Sequence, residues 1–123
     1  MERQSGPIIA VVDDDLRILE AVGELLESKG YVVSLHASAQ SLLESGEMRT
    51  GDCLITDLGM PVMDGFELCH RARLLNPHLA VIFMTARRGV HDQERADRFG
   101  HCGLLQKPFD AAALLAAVKR AIA

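Results

Sequence analysis

Asp13-Asp14-Asp15, Asp57, Thr85 and Lys107 are the residues of this chain whose types could do chemistry together. Each stands at the end of an apolar run. Ile8-Ile9-Ala10-Val11-Val12 leads into the acidic triplet, Cys53-Leu54-Ile55-Thr56 into Asp57, Val81-Ile82-Phe83-Met84 into Thr85, and Leu104-Leu105-Gln106 into Lys107-Pro108. If the runs are parallel strands of one sheet, their ends lie side by side on one edge, where ligands of such sheets bind. Two unit charges ~4 Å apart repel by about 4 kcal/mol at an effective dielectric of 20, so Asp13, Asp14 and Asp57 need a proton or a cation between them. Mg²⁺ suits such a cluster, because it takes one or two carboxylates and keeps waters and phosphate oxygens. An aspartate carboxylate is a competent nucleophile toward phosphorus. Mg²⁺, Lys107 and the Thr85 hydroxyl would each meet one equatorial oxygen of a transferring phosphoryl group.

The pattern therefore points to Mg²⁺-dependent phosphorylation. Asp57 is the expected nucleophile, Asp14 the direct metal ligand, and Asp13 a ligand acting through water. Gly59 is expected to permit unusual backbone angles beside Asp57, and Met60-Pro61 to force an extended segment after it. Asp15 falls where a helix should start and reads as its N-cap. Taken singly, these residues have plainer readings as caps, loop residues and turns. Their coincidence on four strand ends, in this order, carries the inference.

Strand-like runs begin near residues 8, 31, 53, 79 and 103, with a helical pattern between each and the next. That alternation predicts a doubly wound α/β fold with helices on both faces of a parallel sheet. The first helix has an apolar stripe of Ile18, Leu19, Val22, Leu25 and Leu26 and stops before Gly30. Tyr31–His36 is more polar than its neighbours and is the candidate edge strand. Ser38 should cap a short second helix closed by Gly46. The third helix begins near Asp64-Gly65, with Leu68, Ala72 and Leu75 inward and Glu67–Arg71 as a surface pair. The fourth, 91–99, is nearly all polar; with little besides Val90, Ala96 and Phe99 to bury, it is the least firmly docked by expectation. The last, from Asp110 to Ile122, turns Leu114, Leu115, Val118 and Ile122 inward and carries Lys119 and Arg120 in its last turn.

The chain has 123 residues, 49% hydrophobic and 24% charged, with a net charge of −4. These values fit one globular domain over 1–123, with an ordered core about 8–122 and a flexible start over 1–6. The negative balance argues against direct nucleic-acid binding. Three cysteines, Cys53, Cys69 and Cys102, show no CxxC spacing and make no disulfide framework. The five histidines (His36, His70, His78, His91, His101) lack zinc spacing and read as surface or packing residues. No signal-peptide core or membrane-length apolar run is present, so a cytoplasmic location is expected.

Val11-Val12-Asp13-Asp14-Asp15, Thr56-Asp57-Leu58-Gly59-Met60-Pro61-Val62-Met63-Asp64-Gly65, Met84-Thr85-Ala86 and Gln106-Lys107-Pro108-Phe109 together resemble the receiver domains of two-component response regulators. The resemblance runs from about Ile8 to Ile122. It implies the flavodoxin-like five-stranded fold, order 2-1-3-4-5, and a cis peptide between Lys107 and Pro108. It also implies Asp57 as phosphoacceptor, Asp13 and Asp14 as the acidic pair, the Gly59 carbonyl as a further Mg²⁺ ligand, and Thr85 and Lys107 as sensors of the phosphoryl group. The implied partner is a histidine kinase or histidine phosphotransfer protein, and the implied response is a change on the face of the fourth helix, last strand and last helix, with dimerisation possible on activation. Such a domain is a phosphoacceptor, not an enzyme acting on another substrate. Two departures stand out. Leu104 occupies the place of a usual aromatic, and His101-Cys102 replace small residues before the last strand. Gly59 and Arg87 sit where such domains tune the lifetime of the phosphoryl group.

Three other readings fit parts of the sequence. A haloacid-dehalogenase-like phosphohydrolase would use Asp13-x-Asp15, although Arg17 stands where Thr or Val is expected. A flavodoxin-like FMN binder needs a hydroxyl- and glycine-rich loop where this chain has an acidic triplet. A phosphorylation-independent interaction module is the third. The chain ends where an output domain commonly begins, and both a stand-alone receiver and the receiver of a longer regulator fit.

Overall fold

The computed structural model describes residues 6–87, 90–100 and 102–123, Cys102 by its backbone alone. The expected flexible start, apart from Gly6, lies outside the described residues, as do Arg88 and His101. Strands and helices alternate as β1 (Ile8–Val12), α1 (Leu16–Ser28), β2 (Val32–His36), α2 (Ala39–Ser45), a 3-10 turn (Glu47–Arg49), β3 (Cys53–Asp57), α3 (Gly65–Leu75), β4 (Ala80–Thr85), α4 (Val90–Phe99), β5 (Cys102–Gln106) and α5 (Ala111–Ile122). The strands form one parallel sheet in the order β2-β1-β3-β4-β5. This is the flavodoxin-like arrangement, and β2 is an edge strand as its polarity predicts.

Side chains alternate across each strand, so the sheet divides the apolar interior in two. Ala10, Val12, Leu54, Val81 and Phe83 face α2, α3 and α4. Ile9, Val11, Ile55, Ile82 and Met84 face α1 and α5. Because both faces are covered, β3 and β4 are buried throughout and read as continuous apolar runs. Each fully buried aliphatic or aromatic side chain here contributes about 1.5–3 kcal/mol.

The helix starts follow local chemistry. The side chains of Asp15, Ser38, Asp64 and Asp110 accept from Arg17 N at 3.0 Å, Ser41 N at 3.1 Å, Glu67 N at 2.9 Å and Ala113 N at 2.8 Å. Each satisfies an amide that the first helical turn leaves open. Gly46 closes α2 in the left-handed region, with φ 74.

Two inward residues of the sequence reading are corrected. Leu75 is partly exposed, because the buried stripe of α3 runs through Gly65, Leu68, Cys69 and Ala72 and then on to Asn76. The Asn76 amide donates to Met48 O and Gly51 O at 3.0 Å each, which leaves Leu75 rotated outward. Val90 is exposed, being the first residue of α4 and ahead of its docked face. Ala96 is the buried residue of α4, and Phe99 stacks on Phe66 with centroids 5.9 Å apart. Phe99 also meets Phe83 at 5.9 Å, and the Arg95 guanidinium lies 4.1 Å above the Phe66 ring. These aromatic contacts, spread over α3, β4 and α4, had no periodic signature.

Candidate functional site

The register of the sheet brings the four strand ends level. Val12 pairs with Thr56, Asp57 with Met84, and Thr85 with Gln106. The residues that follow therefore share one edge, beside the switch point where the chain order reverses. Lys107 Nζ donates to Asp13 Oδ2 and to Asp57 Oδ1, both at 2.9 Å. Asp13, Asp14 and Asp57 each present an oxygen within 4.8 Å of the others. Asp13 is 1% exposed and Asp57 8%, whereas Asp14 stands open at the mouth.

Backbone contacts hold the carboxylates in place. Asp13 N donates to His36 O at 3.2 Å, and Asp13 Oδ1 accepts from Asp15 N at 2.9 Å. Gly59 N donates to Asp57 Oδ2 at 3.2 Å. Leu58 N donates to Met84 O at 2.9 Å, and Gly65 N to Leu58 O at 3.2 Å, which folds the loop back over the end of β3. A Cβ on Gly65 would lie 2.5 Å from Asp57 O, so only glycine allows this approach.

The expected backbone irregularity at Gly59 is corrected. Within this loop the positive φ belongs to Val62, at 70, and Gly59 keeps an ordinary one. Met63 N donates to Pro61 O at 2.8 Å, closing a three-residue γ-turn around Val62. The Val62 side chain is fully exposed.

Burial pushes the Asp13 carboxyl above its ordinary pKa, against hydrogen bonds from Lys107 and Asp15 and the Lys107 charge. Burial also works against the Lys107 ammonium, but hydrogen bonds and charge from Asp13 and Asp57 outweigh it and hold its pKa above the usual lysine value. Three carboxylates thus face one fixed ammonium, a balance that a divalent cation would complete. The hard oxygen donors, one at the open mouth, suit Mg²⁺ in kind and number.

Thr85 lies on the neighbouring strand end, 2% exposed, and its Oγ1 accepts from Arg87 N at 2.9 Å. The Arg87 guanidinium pairs with Asp92, in the first turn of α4, at 3.3 Å. Gln106 Nε2 donates to Arg87 O at 2.9 Å and to Thr85 O at 3.3 Å. The structure therefore joins Asp13, Asp57 and Lys107 directly, sets Asp14 within 4.8 Å of the other two carboxylates, and places Thr85 on the neighbouring strand end with its hydroxyl on the loop. Leu104 is half-buried against the core shared with Phe83 and Phe99. The bond between Lys107 and Pro108 is cis. A cleft of about 390 Å³ opens beside Lys107, lined chiefly by Ile18, Val22, Pro108 and Phe109.

Sequence reasoning did not single out Gln106 or Val62, and it read His36 only as a surface or packing residue. His36 is buried, with Nδ1 2.8 Å from Ser41 Oγ and Nε2 2.9 Å from Ser34 Oγ and 3.1 Å from Glu47 Oε1. A histidine followed by Ser41 and Glu47 at irregular spacing carries no recognisable motif, so only the packing of α2 on β2 reveals the cluster.

The doubly wound sheet with an acidic pocket and a lysine at its switch point defines a class of phosphoacceptor domain. The family comparison makes this specific: residues 9–119 match the response regulator receiver domain, and the chain belongs to that family. It is 38% identical over 114 residues to the transcriptional regulatory protein FixJ of Azorhizobium caulinodans, covering 93% of this chain and 54% of that protein. It is 36% identical over 109 residues to the heme response regulator HssR of Staphylococcus epidermidis, covering 89% and 48%. The chain thus spans about half the length of these curated relatives. The chemotaxis protein CheY4 of Vibrio cholerae superposes with a TM-score of 0.87 at 27% identity, covering 95% of this chain and 99% of that one. Receiver domains are the phosphoacceptors of two-component systems and partner with histidine kinases. Among the described residues, no helix is long and apolar enough to cross a membrane.

Proposed function

We propose that Asp57 takes a phosphoryl group from a phosphohistidine of a histidine kinase or phosphotransfer protein, with Asp13, Asp14, Asp57 and the Gly59 carbonyl as the Mg²⁺ ligands. An Asp57 carboxylate oxygen forms the new bond to phosphorus. The P–N bond breaks, and the imidazole leaves with its electron pair and takes up a proton. Bound Mg²⁺ supplies charge neutralisation at the phosphoryl oxygens. Lys107 already touches Asp57 and serves a second oxygen, and the Thr85 hydroxyl, on the neighbouring strand end, would serve a third. The apolar cleft beside Lys107 gives the partner a surface on which to rest while its histidine reaches Asp57.

In this reading, phosphorylation changes the face formed by α4, β5 and α5, and that face pairs with a second copy. A swing from 1:99 to 99:1 requires about 5.5 kcal/mol of differential stabilisation. The new contacts of the phosphoryl group with Thr85 and Lys107 are its source. With Leu104 at the aromatic position, no ring is available to rotate there. The response passes instead through the thinly docked α4, tied to Thr85 by way of Arg87 and Asp92.

The observation that carries the proposal is the Lys107 ammonium bridging two of three clustered carboxylates. Intact-mass measurement with acetyl phosphate and Mg²⁺ tests it. Wild type gains one phosphoryl group, whereas Asp57→Asn, or wild type with EDTA, gains none. Phosphate retained by Asp57→Asn would refute the assignment.

A further inference from the structure

We propose that Gln106 is a positioning residue of this site: its amide holds the corner Thr85-Ala86-Arg87 closed and so sets how readily α4 is released. The β4–β5 ladder ends where Lys107 N donates to Thr85 O at 2.7 Å. From there the chain turns at Pro108 into α5, and the Gln106 side chain supplies the donor that Arg87 O receives at 2.9 Å. Its second donation, to Thr85 O at 3.3 Å, spans the same corner. Both partners are carbonyl oxygens, so the amide nitrogen must face them and the orientation of the side chain is fixed by chemistry.

Arg87 is therefore gripped twice. Its N–H goes to Thr85 Oγ1 and its carbonyl to Gln106, while its guanidinium reaches Asp92 in α4. If the Thr85 hydroxyl turns toward a phosphoryl oxygen, Arg87 N loses its acceptor. Among the described residues, the Gln106 amide is then the side-chain bond that still ties Arg87 to the sheet. This functional half rests on the phosphoacceptor reading above; the brace itself does not, and it exists in the unphosphorylated protein.

The test compares amide exchange over residues 86–99 in unphosphorylated wild type, Gln106→Met and Gln106→Lys. Met keeps the length of the stem and lacks donors; Lys, one methylene longer, keeps a donor that can fold back to the same carbonyls. Loss of two hydrogen bonds of modest net strength should speed exchange in the Met variant about fivefold. The Lys variant should stay near wild type, and β1 and β2 should be unchanged in all three proteins. Equal exchange in Met and wild type, an equal rise in β1, or a Lys variant as fast as the Met variant would each overturn the brace. Treatment of the same proteins with acetyl phosphate and Mg²⁺ separates the two claims. A wild type that gains no mass sinks the phosphoacceptor reading, and the exchange comparison still decides the role of Gln106.

Discussion

The ammonium of Lys107 and the carboxylate of Asp57, fifty positions apart in the chain, meet at 2.9 Å on the rim of the sheet. Replacing Lys107 by Met leaves Asp13 and Asp57 facing each other without their shared cation. Because the group is only partly buried, the loss should be about 2 kcal/mol in EDTA, below that of a fully buried pair. Mg²⁺ should restore more stability to the variant than to wild type. The lysine pKa is raised above 10.5, so its contribution is fully present below that pH and fades as pH rises through the higher folded value. Urea unfolding in EDTA should show a loss of stability above pH 10.5 in wild type, and Lys107→Met should lack that component.

Glu47 gives the acid-side counterpart. Burial pushes its carboxyl up, but hydrogen bonds from Ser34, His36 and Ser45 and the charge of His36 outweigh this and hold its pKa below 4.5. A depressed acid stabilises the fold above its unfolded pKa, and that stability is lost as pH falls through the folded value. Glu47→Gln should flatten this part of the stability curve below pH 4.5. An unchanged acid limb would exclude the pairing as a source of stability.

Gly65 should tolerate no side chain. Alanine there would put its Cβ 2.5 Å from Asp57 O, a backbone atom that cannot swing away. Gly65→Ala should cost about 2–3 kcal/mol through backbone displacement, read as a lower urea midpoint. It should also slow phosphoryl uptake from acetyl phosphate, since the atom displaced belongs to the proposed acceptor.

Val62 predicts a change of opposite sign. A β-branched residue at φ 70 is strained, and its exposed side chain packs against nothing that would repay the strain. Val62→Gly should raise stability by about 1 kcal/mol, measured by urea unfolding. A destabilised variant would mean that the γ-turn is held without strain.

The parts of this structure visible in the sequence are those built from repetition or from local chemistry. Apolar runs of β1, β3 and β4 declare two-sided burial, and Asp15, Ser38, Asp64 and Asp110 announce helix starts through their own backbone neighbours. The convergence of Asp13, Asp14, Asp57 and Lys107 follows once the strands are parallel, because equal register then aligns their ends. Interactions between unlike elements stayed hidden. Gln106 is an exposed amide whose place beside Lys107 says nothing of what its side chain bonds, the Phe66–Phe83–Phe99 cluster draws one ring from each of three elements, and Leu75 keeps helical spacing yet yields its inward place to Asn76. Gly59 and Val62 show a subtler limit: the loop needed one left-handed residue, and closing the turn after Pro61 put it on the valine.

Lys107 lies ninety-four positions after Asp13 and is delivered by the last strand. A growing or partly folded chain therefore carries its acidic residues without their ammonium until β5 joins the sheet. Loop closure over such a distance comes late when nearer contacts are available. The pocket is accordingly a product of completed folding rather than a seed for it, and a truncated chain lacking β5 would hold mutually repelling acids where the finished domain has an ammonium between two of them.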